Sequence, residues 1–175
     1  MNEQLLFDFL KKHNITYRLY EHQPVFTVGE EPLITAIDGK KVTSSEEIPG
    51  AHFKTLFLKD KKGKLFLVSV TEEKRVDLKA LSDTLSCSRF SFGKPELLLE
   101  KINLTPGSVS PYGLMFDKGN EITYALDEDA LSHSHVTFHP LRNDMTIAVS
   151  VQDFLTCMDL LGHKPQIVRI PTRAD

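Results

Sequence analysis

Lys54 is the residue whose position in the chain most strongly suggests chemistry. It lies in an apolar stretch, between Phe53 and the run Leu56–Leu58, that follows a Pro-Gly turn. An ammonium group in apolar surroundings is unfavourable unless its head reaches water, an anion or a cavity. Lys54 is therefore either a strand-end lysine whose head reaches solvent or a cation held at the floor of a pocket for an anionic substrate.

Two further stretches carry polar groups that a pocket could use. The loop Gly107-Ser108-Val109-Ser110-Pro111 could present successive backbone N–H groups, which suits an oxyanion or a carbonyl oxygen. It could equally be a turn that ends at a proline. His139 stands where a strand is expected to end, with Asn143 four residues later. A single His at a strand end is usually structural, so neither stretch identifies a site by itself.

The usual sequence signatures of hydrolases and metal sites are missing from the chain. It has no G-x-S-x-G motif, and its seven histidines form no H-E-x-x-H or H-x-H ligand set that the rest of the chain completes. His133 and His135 flank Ser134, a pattern that is more typical of a polar surface than of a metal site. We therefore predict no metal and no cofactor.

Composition and length predict one cytoplasmic domain, residues 1–175. The chain is 41% hydrophobic and 26% charged, as is ordinary for a soluble globular protein. Cys87 and Cys157 lie far apart without a C-x-x-C motif, which suggests a reducing compartment. Glu3 and Asp8 interrupt the first apolar residues, so no signal peptide is expected, and no apolar run approaches membrane-spanning length.

The charge distribution allows only a local contact with nucleic acid. The net charge of −3 excludes a general basic coating, and with it nonspecific binding to DNA. Four lysines nevertheless cluster at one predicted hairpin tip: Lys59, Lys61, Lys62 and Lys64. They form either a solvated turn or a contact with the phosphate backbone of a nucleic acid.

Strand signals dominate the middle of the chain. The largely apolar run Phe53–Leu58 and the run Leu65–Val70 flank the turn Asp60–Gly63, which predicts a hairpin. Further strands are predicted at 15–20, 89–92, 112–116, 121–126, 136–138 and 145–149. Residues 25–28 could be a short strand or lead into a helix, and 29–47 are read as a surface loop with at most one short helix.

Helix signals fall between these strands. Apolar spacing predicts a helix over residues 3–12. Asp77 can cap a second helix, Pro95 opens a third, and Ser150 with Asp153 begins a fourth that Gly162 ends. A short helical turn is predicted at 127–131. The fold class that follows is α+β, a mixed and mostly antiparallel, barrel-like sheet with helices packed around it.

Together these stretches resemble the bacterial prolyl-tRNA editing domain superfamily, most closely its free-standing alanyl-tRNA(Pro) deacylases. The resemblance covers nearly the whole chain and is most specific in the lysine within its strand, the G-x-x-x-P loop and the H-P-x-x-N stretch. The matching stretches are His22–Thr27, Ile48–Lys54, Leu56–Asp60, Arg75–Lys79, Ser91–Gly93, Gly107–Leu114, Phe138–Leu141 with Asn143 and Thr146, and Gly162-His163.

The resemblance implies an enzyme that hydrolyses mischarged tRNA(Pro), and a role for each site residue. Lys54 would lie against the 3′-terminal phosphate and the ester. The Gly107–Pro111 loop, led by Gly107, would hold the aminoacyl group, and His139 would position the substrate with Asn143 nearby. Phe53 or Leu56 would form another wall of the pocket. The expected partners are the acceptor end of mischarged tRNA(Pro) and prolyl-tRNA synthetase.

Thr55 leaves the amino-acid specificity open. Alanine-specific members more often carry Asn after the lysine, and the neighbouring cysteinyl-tRNA(Pro) deacylases resemble this chain at that position. Three hypotheses therefore remain: an alanyl-tRNA(Pro) deacylase, a cysteinyl-tRNA(Pro) deacylase, and a non-catalytic module that binds tRNA or the synthetase.

Overall fold

The computed structural model describes residues 2–22, 34–36, 41–42 and 51–173, with the backbone alone at 34–36, 41–42 and residue 51. Ten strands lie in these ranges. They are β1 Tyr17–His22, β2 Ile34–Ala36, β3 Lys41–Val42, β4 Ala51–Asp60, β5 Leu65–Thr71, β6 Phe90–Phe92, β7 Ile122–Asp127, β8 His135–Phe138, β9 Met145–Ser150 and β10 Gln166–Val168.

The described ranges also contain four α-helices: α1 Asn2–Lys12, α2 Leu78–Thr84, α3 Pro95–Ile102 and α4 Val151–Leu160. The predicted caps act as expected. The Asp77 carboxylate accepts the backbone N–H of Ala80, and the Ser150 hydroxyl accepts that of Asp153. Gly162 follows α4 with φ +82, a left-handed conformation in which glycine is favoured. No helix in the described ranges is both long and apolar enough to cross a membrane.

The strands form one mixed sheet in which β4 has three neighbours. The order is β10-β7-β5-β4-β8-β9-β1-β2-β3, and β6 also pairs with β4. Among the described strands, only the β4–β8, β5–β7 and β7–β10 pairs are parallel, so most pairs are antiparallel and the predicted fold class is confirmed. One edge of β4 pairs with β8 at Ala51 and His52 and with β6 from Leu58 onward. Between these two ladders this edge of β4 has no strand partner among the described residues.

The alternation of side chains along β4 divides the interior into two apolar clusters. Phe57 belongs to the larger cluster, which α1, α3 and α4 cover, and Phe53 packs against it. Leu58 belongs to the smaller cluster, which contains Leu81 of α2, and Leu56 packs against it. Odd-numbered residues of β4 therefore face the larger cluster and even-numbered residues face the smaller one.

Two sequence predictions are corrected by the structure. Residues 112–116 were expected to form a strand, but Pro111–Phe116 is a 3-10 helix. The Ser110 hydroxyl accepts the N–H of Tyr112 and Pro111 occupies the first helical position, so the local helix-start signals outweigh the β-propensity of the aromatic residues. In the predicted loop 29–47, residues 34–36 and 41–42 are strands; the rest of that loop, and residues 25–28, lie outside the described residues.

His163, which follows α4, contacts a buried carboxylate from another part of the chain. Its Nε2 lies 2.8 Å from Asp117 Oδ2, and both side chains are buried. Asp117 also accepts the backbone N–H groups of Glu121 and Ile122. This pair therefore joins the segment after α4 to the turn before β7.

Gly93 should be the glycine most sensitive to substitution in this part of the fold. Its N–H donates to the carbonyl of Phe57 at 2.9 Å, and a Cβ at Gly93 would overlap the buried ring of Phe57. We expect Gly93→Ala to lower the free energy of unfolding by about 1–3 kcal/mol, the range typical of overpacking. Gly119→Ala is the matched control, because its Cβ would meet Glu121 Cγ at an ordinary 3.5 Å. Equal urea midpoints for the two variants would contradict this account.

Candidate active site

Lys54 points to the smaller-cluster face of the sheet and is half-buried. Its Nζ donates to the backbone carbonyl of Lys74 at 2.5 Å. Burial lowers the pKa of Lys54 below its ordinary value, and the carboxylates of Glu73 and Glu72 oppose that shift. The lysine is therefore neither buried without a partner nor freely solvated. Among the described residues, its ammonium donates to this neutral acceptor.

An ion cluster fixes the carbonyl that receives Lys54. The side chain of Lys74 donates to Asp127 Oδ2 at 2.5 Å and also to the carboxylate of Asp129. Burial alone would lower the pKa of Lys74, but these two hydrogen bonds raise it. Asp127 is fully buried at the end of β7. The cluster thus ties the turn after β5 to β7 and sets the position of the Lys74 carbonyl.

His139 follows the last residue of β8, and its tautomer can be assigned from its partner. Its Nδ1 lies 2.6 Å from the carbonyl oxygen of Met145. A carbonyl oxygen only accepts, so Nδ1 must carry the hydrogen and Nε2 of the neutral ring carries a lone pair. The pKa of His139 is lowered, mainly by burial and to a smaller extent by nearby His22. The hydrogen bond to the Met145 carbonyl and the charge of Asp144 act in the opposite direction. The neutral ring, with an accepting Nε2, is therefore the favoured form at neutral pH.

The parallel ladder between β4 and β8 places Lys54 and His139 on the same face, each two residues beyond its last registered pair. Its registered pairs are Ala51 with Val136 and His52 with Thr137. Lys54 and His139 each lie two residues beyond the pair His52–Thr137. Val136 and Phe138 belong to the larger cluster, so the alternate side chains of β8 share the opposite face with Lys54.

Sequence reasoning did not include His22 and Thr146 in the site. The ring of His22 lies 5.8 Å from that of His139, and its Nε2 is 2.9 Å from Thr146 Oγ1. Both residues lay within stretches that carried the family resemblance. Neither had a spacing signal linking it to His139, because their proximity depends on the pairing of β1 with β9.

The Gly107–Pro111 loop is a 3-10 turn at Pro106–Ser108 followed by an extended step at Val109 and Ser110. The N–H of Ser108 donates to the carbonyl of Thr105, so the loop cannot present every N–H to a ligand. Among the described glycines, Gly63 and Gly162 have positive φ and Gly107 does not. A need for glycine at 107 would therefore come from space for a neighbour rather than from backbone conformation.

A single aromatic cluster adjoins all three predicted site segments. The Phe53 ring, next to Lys54, lies 5.4 Å from that of Phe138, next to His139. The Tyr112 ring, next to Pro111, lies 6.1 Å from Phe138 and 5.8 Å from Phe154 of α4. The segments around Lys54, His139 and the loop are thus held together through their sequence neighbours. Val109 also packs against the larger cluster, so the loop approaches from the face that Phe53 occupies.

The remaining predicted residues occupy distinct places. Thr55 lies on the Phe53 face, whereas Leu56 lies on the Lys54 face, so Phe53 and Leu56 are on opposite sides of β4. Asn143 is half-buried in the turn between β8 and β9. That turn contains buried Leu141 at φ 70, an unfavourable conformation for a bulky residue. Arg142 stabilises it through paired bonds to Asp144, at 2.9 and 2.6 Å.

A chain of hydroxyl groups orients Thr55. The Tyr124 hydroxyl donates to Ser69 Oγ at 2.8 Å, and Ser69 Oγ is 2.9 Å from Thr55 Oγ1. Ser69 is fully buried, so its own hydrogen needs an acceptor, and in the described residues Thr55 provides it. The partly exposed Thr55 hydroxyl can then donate its own hydrogen to a different acceptor. Thr55 is therefore oriented as a hydrogen-bond donor on the face of β4 opposite Lys54.

No metal centre is found among the residues that the structure describes: no three His, Cys, Asp or Glu side chains lie close enough to hold an ion. His135 instead contacts Ser134, with Nδ1 3.0 Å from its hydroxyl. Cys87 and Cys157 are both free thiols, and Cys157 is buried.

Comparison with known proteins gives one consistent result. The model of the aminoacyl-tRNA editing domain family matches residues 40–157, which include Lys54, the Gly107–Pro111 loop and His139. A zebrafish (Danio rerio) protein named prolyl-tRNA synthetase associated domain-containing protein 1 is 33% identical over 163 residues, covering 92% of this chain and 83% of its own length. The prolyl-tRNA editing protein ProX of Acetoanaerobium sticklandii is 33% identical over 145 residues, covering 82% of each chain.

The solved structures agree on the fold. A crystal structure of a protein proposed to be a trans-editing enzyme for prolyl tRNA synthetase superposes with a TM-score of 0.56 at 20% identity. The superposition covers 70% of this chain and 71% of that one.

The hydroxyl chain predicts unequal roles for two buried tyrosines. Tyr124 and Tyr112 are both buried, but in the described part of the chain the Tyr112 hydroxyl has no hydrogen-bond partner. Tyr124→Phe should lower the free energy of unfolding by about 1–2 kcal/mol, because Ser69 loses its donor. Tyr112→Phe should be neutral or stabilising, because it removes an unsatisfied buried hydroxyl. Urea unfolding of both variants tests this, and equal losses would show that the chain is unimportant.

Proposed function

The chain belongs to the aminoacyl-tRNA editing domain family, and we propose that it hydrolyses the ester of mischarged tRNA(Pro), with alanyl-tRNA(Pro) as its substrate. The free amino acid and tRNA would be released in trans to prolyl-tRNA synthetase, in the cytoplasm. The family match over residues 40–157 is the observation that carries this proposal. The names of the relatives support tRNA(Pro) and association with the synthetase.

Lys54 supplies the positive charge that such a reaction needs. Its ammonium is held by the neutral carbonyl of Lys74, and its lowered pKa reflects the unfavourable burial of its charge. An arriving phosphate or developing oxyanion would be a stronger acceptor than a carbonyl and would stabilise the charged lysine. Lys54 would therefore exchange the Lys74 carbonyl for the terminal phosphate or the ester oxygen.

His139 offers the complementary function of a proton acceptor. With Nδ1–H committed to Met145, Nε2 of the neutral ring can accept a hydrogen bond from a water molecule or from a ribose hydroxyl of the substrate. The water oxygen would bond to the carbonyl carbon, the ester bond would break, and the proton would pass to the leaving 3′ oxygen. Orientation and charge stabilisation can suffice for an activated ester.

Selectivity for alanine over proline would come from exclusion by size. A synthetase site distinguishes side chains that differ by one methylene by only about 1–3 kcal/mol, so alanine can enter a proline site. An editing pocket must then admit alanine and exclude proline. Leu56, which shares the face of β4 with Lys54, would form one wall there. The aromatic cluster around Phe53 and Phe138 lies on the opposite face and would keep the backbones that carry the pocket rigid.

Thr55 supports cysteinyl-tRNA(Pro) as a second candidate substrate. In that reaction the substrate thiol would attack its own ester. The Thr55 hydroxyl, oriented through Ser69 as a donor, could bind a thiolate or a carbonyl oxygen on the Phe53 face of β4. A catalytically inert tRNA-binding module is the alternative from another functional class.

The decisive experiment compares alanyl-, cysteinyl-, seryl- and prolyl-tRNA(Pro) in single-turnover deacylation. We expect the alanyl ester to be hydrolysed and the prolyl ester to stay intact. Lys54→Ala should reduce hydrolysis by about 100-fold or more, the loss typical of removing one charge-stabilising group. Lys118→Ala, which removes an exposed lysine elsewhere, is the control and should leave the rate unchanged.

Each other outcome selects an alternative. Faster hydrolysis of the cysteinyl ester would favour the second candidate, and equal hydrolysis of the prolyl ester would refute exclusion by size. Hydrolysis of none of the four esters would leave the inert binding module. Full activity in Lys54→Ala would remove the proposed role of that lysine.

His139 predicts the pH dependence of both activity and stability. Its pKa lies below the ordinary 6.5, so the ring should remain neutral at pH 6.5 and above. The rate constant for hydrolysis should therefore stay constant there and decrease only as the pH approaches the lowered pKa. An unfolded chain takes up the proton first, so the free energy of unfolding should decrease as the pH falls from 6.5 toward the folded pKa. NMR titration of the ring, assigned with His139→Asn, measures the midpoint. A midpoint at or above 6.5 would contradict the neutral assignment.

A further inference from the structure

Phe92 is an exposed aromatic residue that the fold does not explain. It ends the short strand β6, and 62% of its surface is exposed, whereas Phe90, two residues earlier, is buried against Phe66. A large exposed aromatic ring is common where a partner binds. In the described residues, β6 pairs with β4 alone, so Phe92 lies at an edge of the sheet.

Exposed basic residues lie on the hairpin that pairs with β6 and on both sides of β6, on a chain of net charge −3. They come from the tip of the β4–β5 hairpin and from both sides of β6: Lys59, Lys61, Lys62, Lys64, Arg89 and Lys94. Asp60 lies among them, but it is buried and accepts the backbone N–H groups of Lys62, Lys64 and Ser88. An exposed ring within a basic patch is the usual arrangement for stacking a nucleobase beside bound phosphates.

The register places this patch in line with Lys54. Phe92 pairs with Leu58, and paired residues share a face, so Phe92 lies on the same face of the sheet as Lys54. Leu58 is four positions beyond Lys54 in β4, a distance of about 13 Å. Stacked nucleotides rise about 3.4 Å each, so about four of them, or fewer in an extended strand, bridge this distance.

We propose that the unpaired 3′ strand of the tRNA passes beside the edge of β4 that lies between the β8 and β6 ladders, from its terminal ester at Lys54 to a base stacked on Phe92. It cannot lie on the face itself, because Leu58 is buried there under α2. The basic residues bind the phosphates near Phe92 and at the hairpin tip. Because every base has a stacking face, this contact holds the strand without reading its sequence. The inference rests on the proposed function, since it takes Lys54 as the position of the ester.

The test uses two substrates that share an ester but differ in length. Phe92→Ala should lower kcat/KM for alanyl-tRNA(Pro) by roughly 5- to 100-fold, the equivalent of removing one base stack. It should not affect the hydrolysis of alanyl-adenosine, which has no upstream nucleotide. Phe92→Trp should keep full activity on both substrates. Leu131→Ala, which truncates another exposed apolar side chain, is the matched control and should behave like wild type.

Direct binding separates this stacking from catalysis. Wild type should bind an uncharged acceptor-stem hairpin more tightly when its unpaired 3′ strand is present, and Phe92→Ala should lose that preference. Replacing Lys61 and Lys62 by Gln should flatten the dependence of log K on log salt by about 0.7 for each phosphate that the variant no longer neutralises.

The outcomes distinguish the failure of this proposal from that of the proposed function. Equal losses on alanyl-tRNA(Pro) and alanyl-adenosine, or no loss on either, would overturn the stacking contact while the enzyme remains a deacylase. If wild type hydrolyses neither ester, the proposed function fails. In that case, the affinity for the acceptor-stem hairpin decides the stacking contact. If this affinity depends neither on the unpaired 3′ strand nor on Phe92, the stacking contact is overturned as well, and a protein partner is favoured for this surface.

Discussion

The contact of Phe53, Phe138 and Tyr112 is the interaction on which the arrangement of the site depends. Each ring is adjacent in sequence to a segment with a proposed role, and Phe154 of α4 closes the cluster with its ring 5.2 Å from that of Phe138. Packed aromatic rings fix the distance between the backbones that carry them, because protein interiors are as dense as organic crystals. The polar side chains on the opposite face can then stay partly hydrated while their backbones remain rigid.

Strand β4 supplies the second constraint. It is the one described strand that pairs with three others, and its pairing with β8 ends just before Lys54. A ligand can approach where two neighbouring strands separate, as it does at the switch points of other open sheets. The ion cluster of Lys74, Asp127 and Asp129 closes the other side of this region, because it holds the carbonyl to which Lys54 donates.

Local signals in the sequence were sufficient for the hairpin and the helices. Asp77, Pro95 and Gly162 each act through groups within a few residues, so their effects can be read without knowing the fold. The same reasoning identified Lys54 as an unusual cation in a strand. It failed at Pro111–Phe116, where a serine cap and a proline outweigh the β-propensity of the aromatic residues.

The contacts that define the site could not be obtained in this way. The Lys74 carbonyl is 20 residues from Lys54, Thr146 is 124 residues from His22, and Ser69 joins Thr55 to Tyr124 across three strands. Each depends on which strands pair and in what register, and residue spacing does not encode this. The resemblance to a known family supplied residue roles, but it gave no reason why His22 lies beside His139.

The parallel pairing of β4 with β8 also has a kinetic consequence. Its registered residues are separated by 85 positions, whereas the β4–β5 hairpin closes over a turn that Asp60 stabilises through the N–H groups of Lys62 and Lys64. Loop-closure entropy delays contacts between distant residues, so the hairpin should form before β8 docks beside it. During synthesis, Lys54 would therefore enter a hairpin long before the chain that carries His139 has been made. The two halves of the site meet only when almost the entire domain is available to fold.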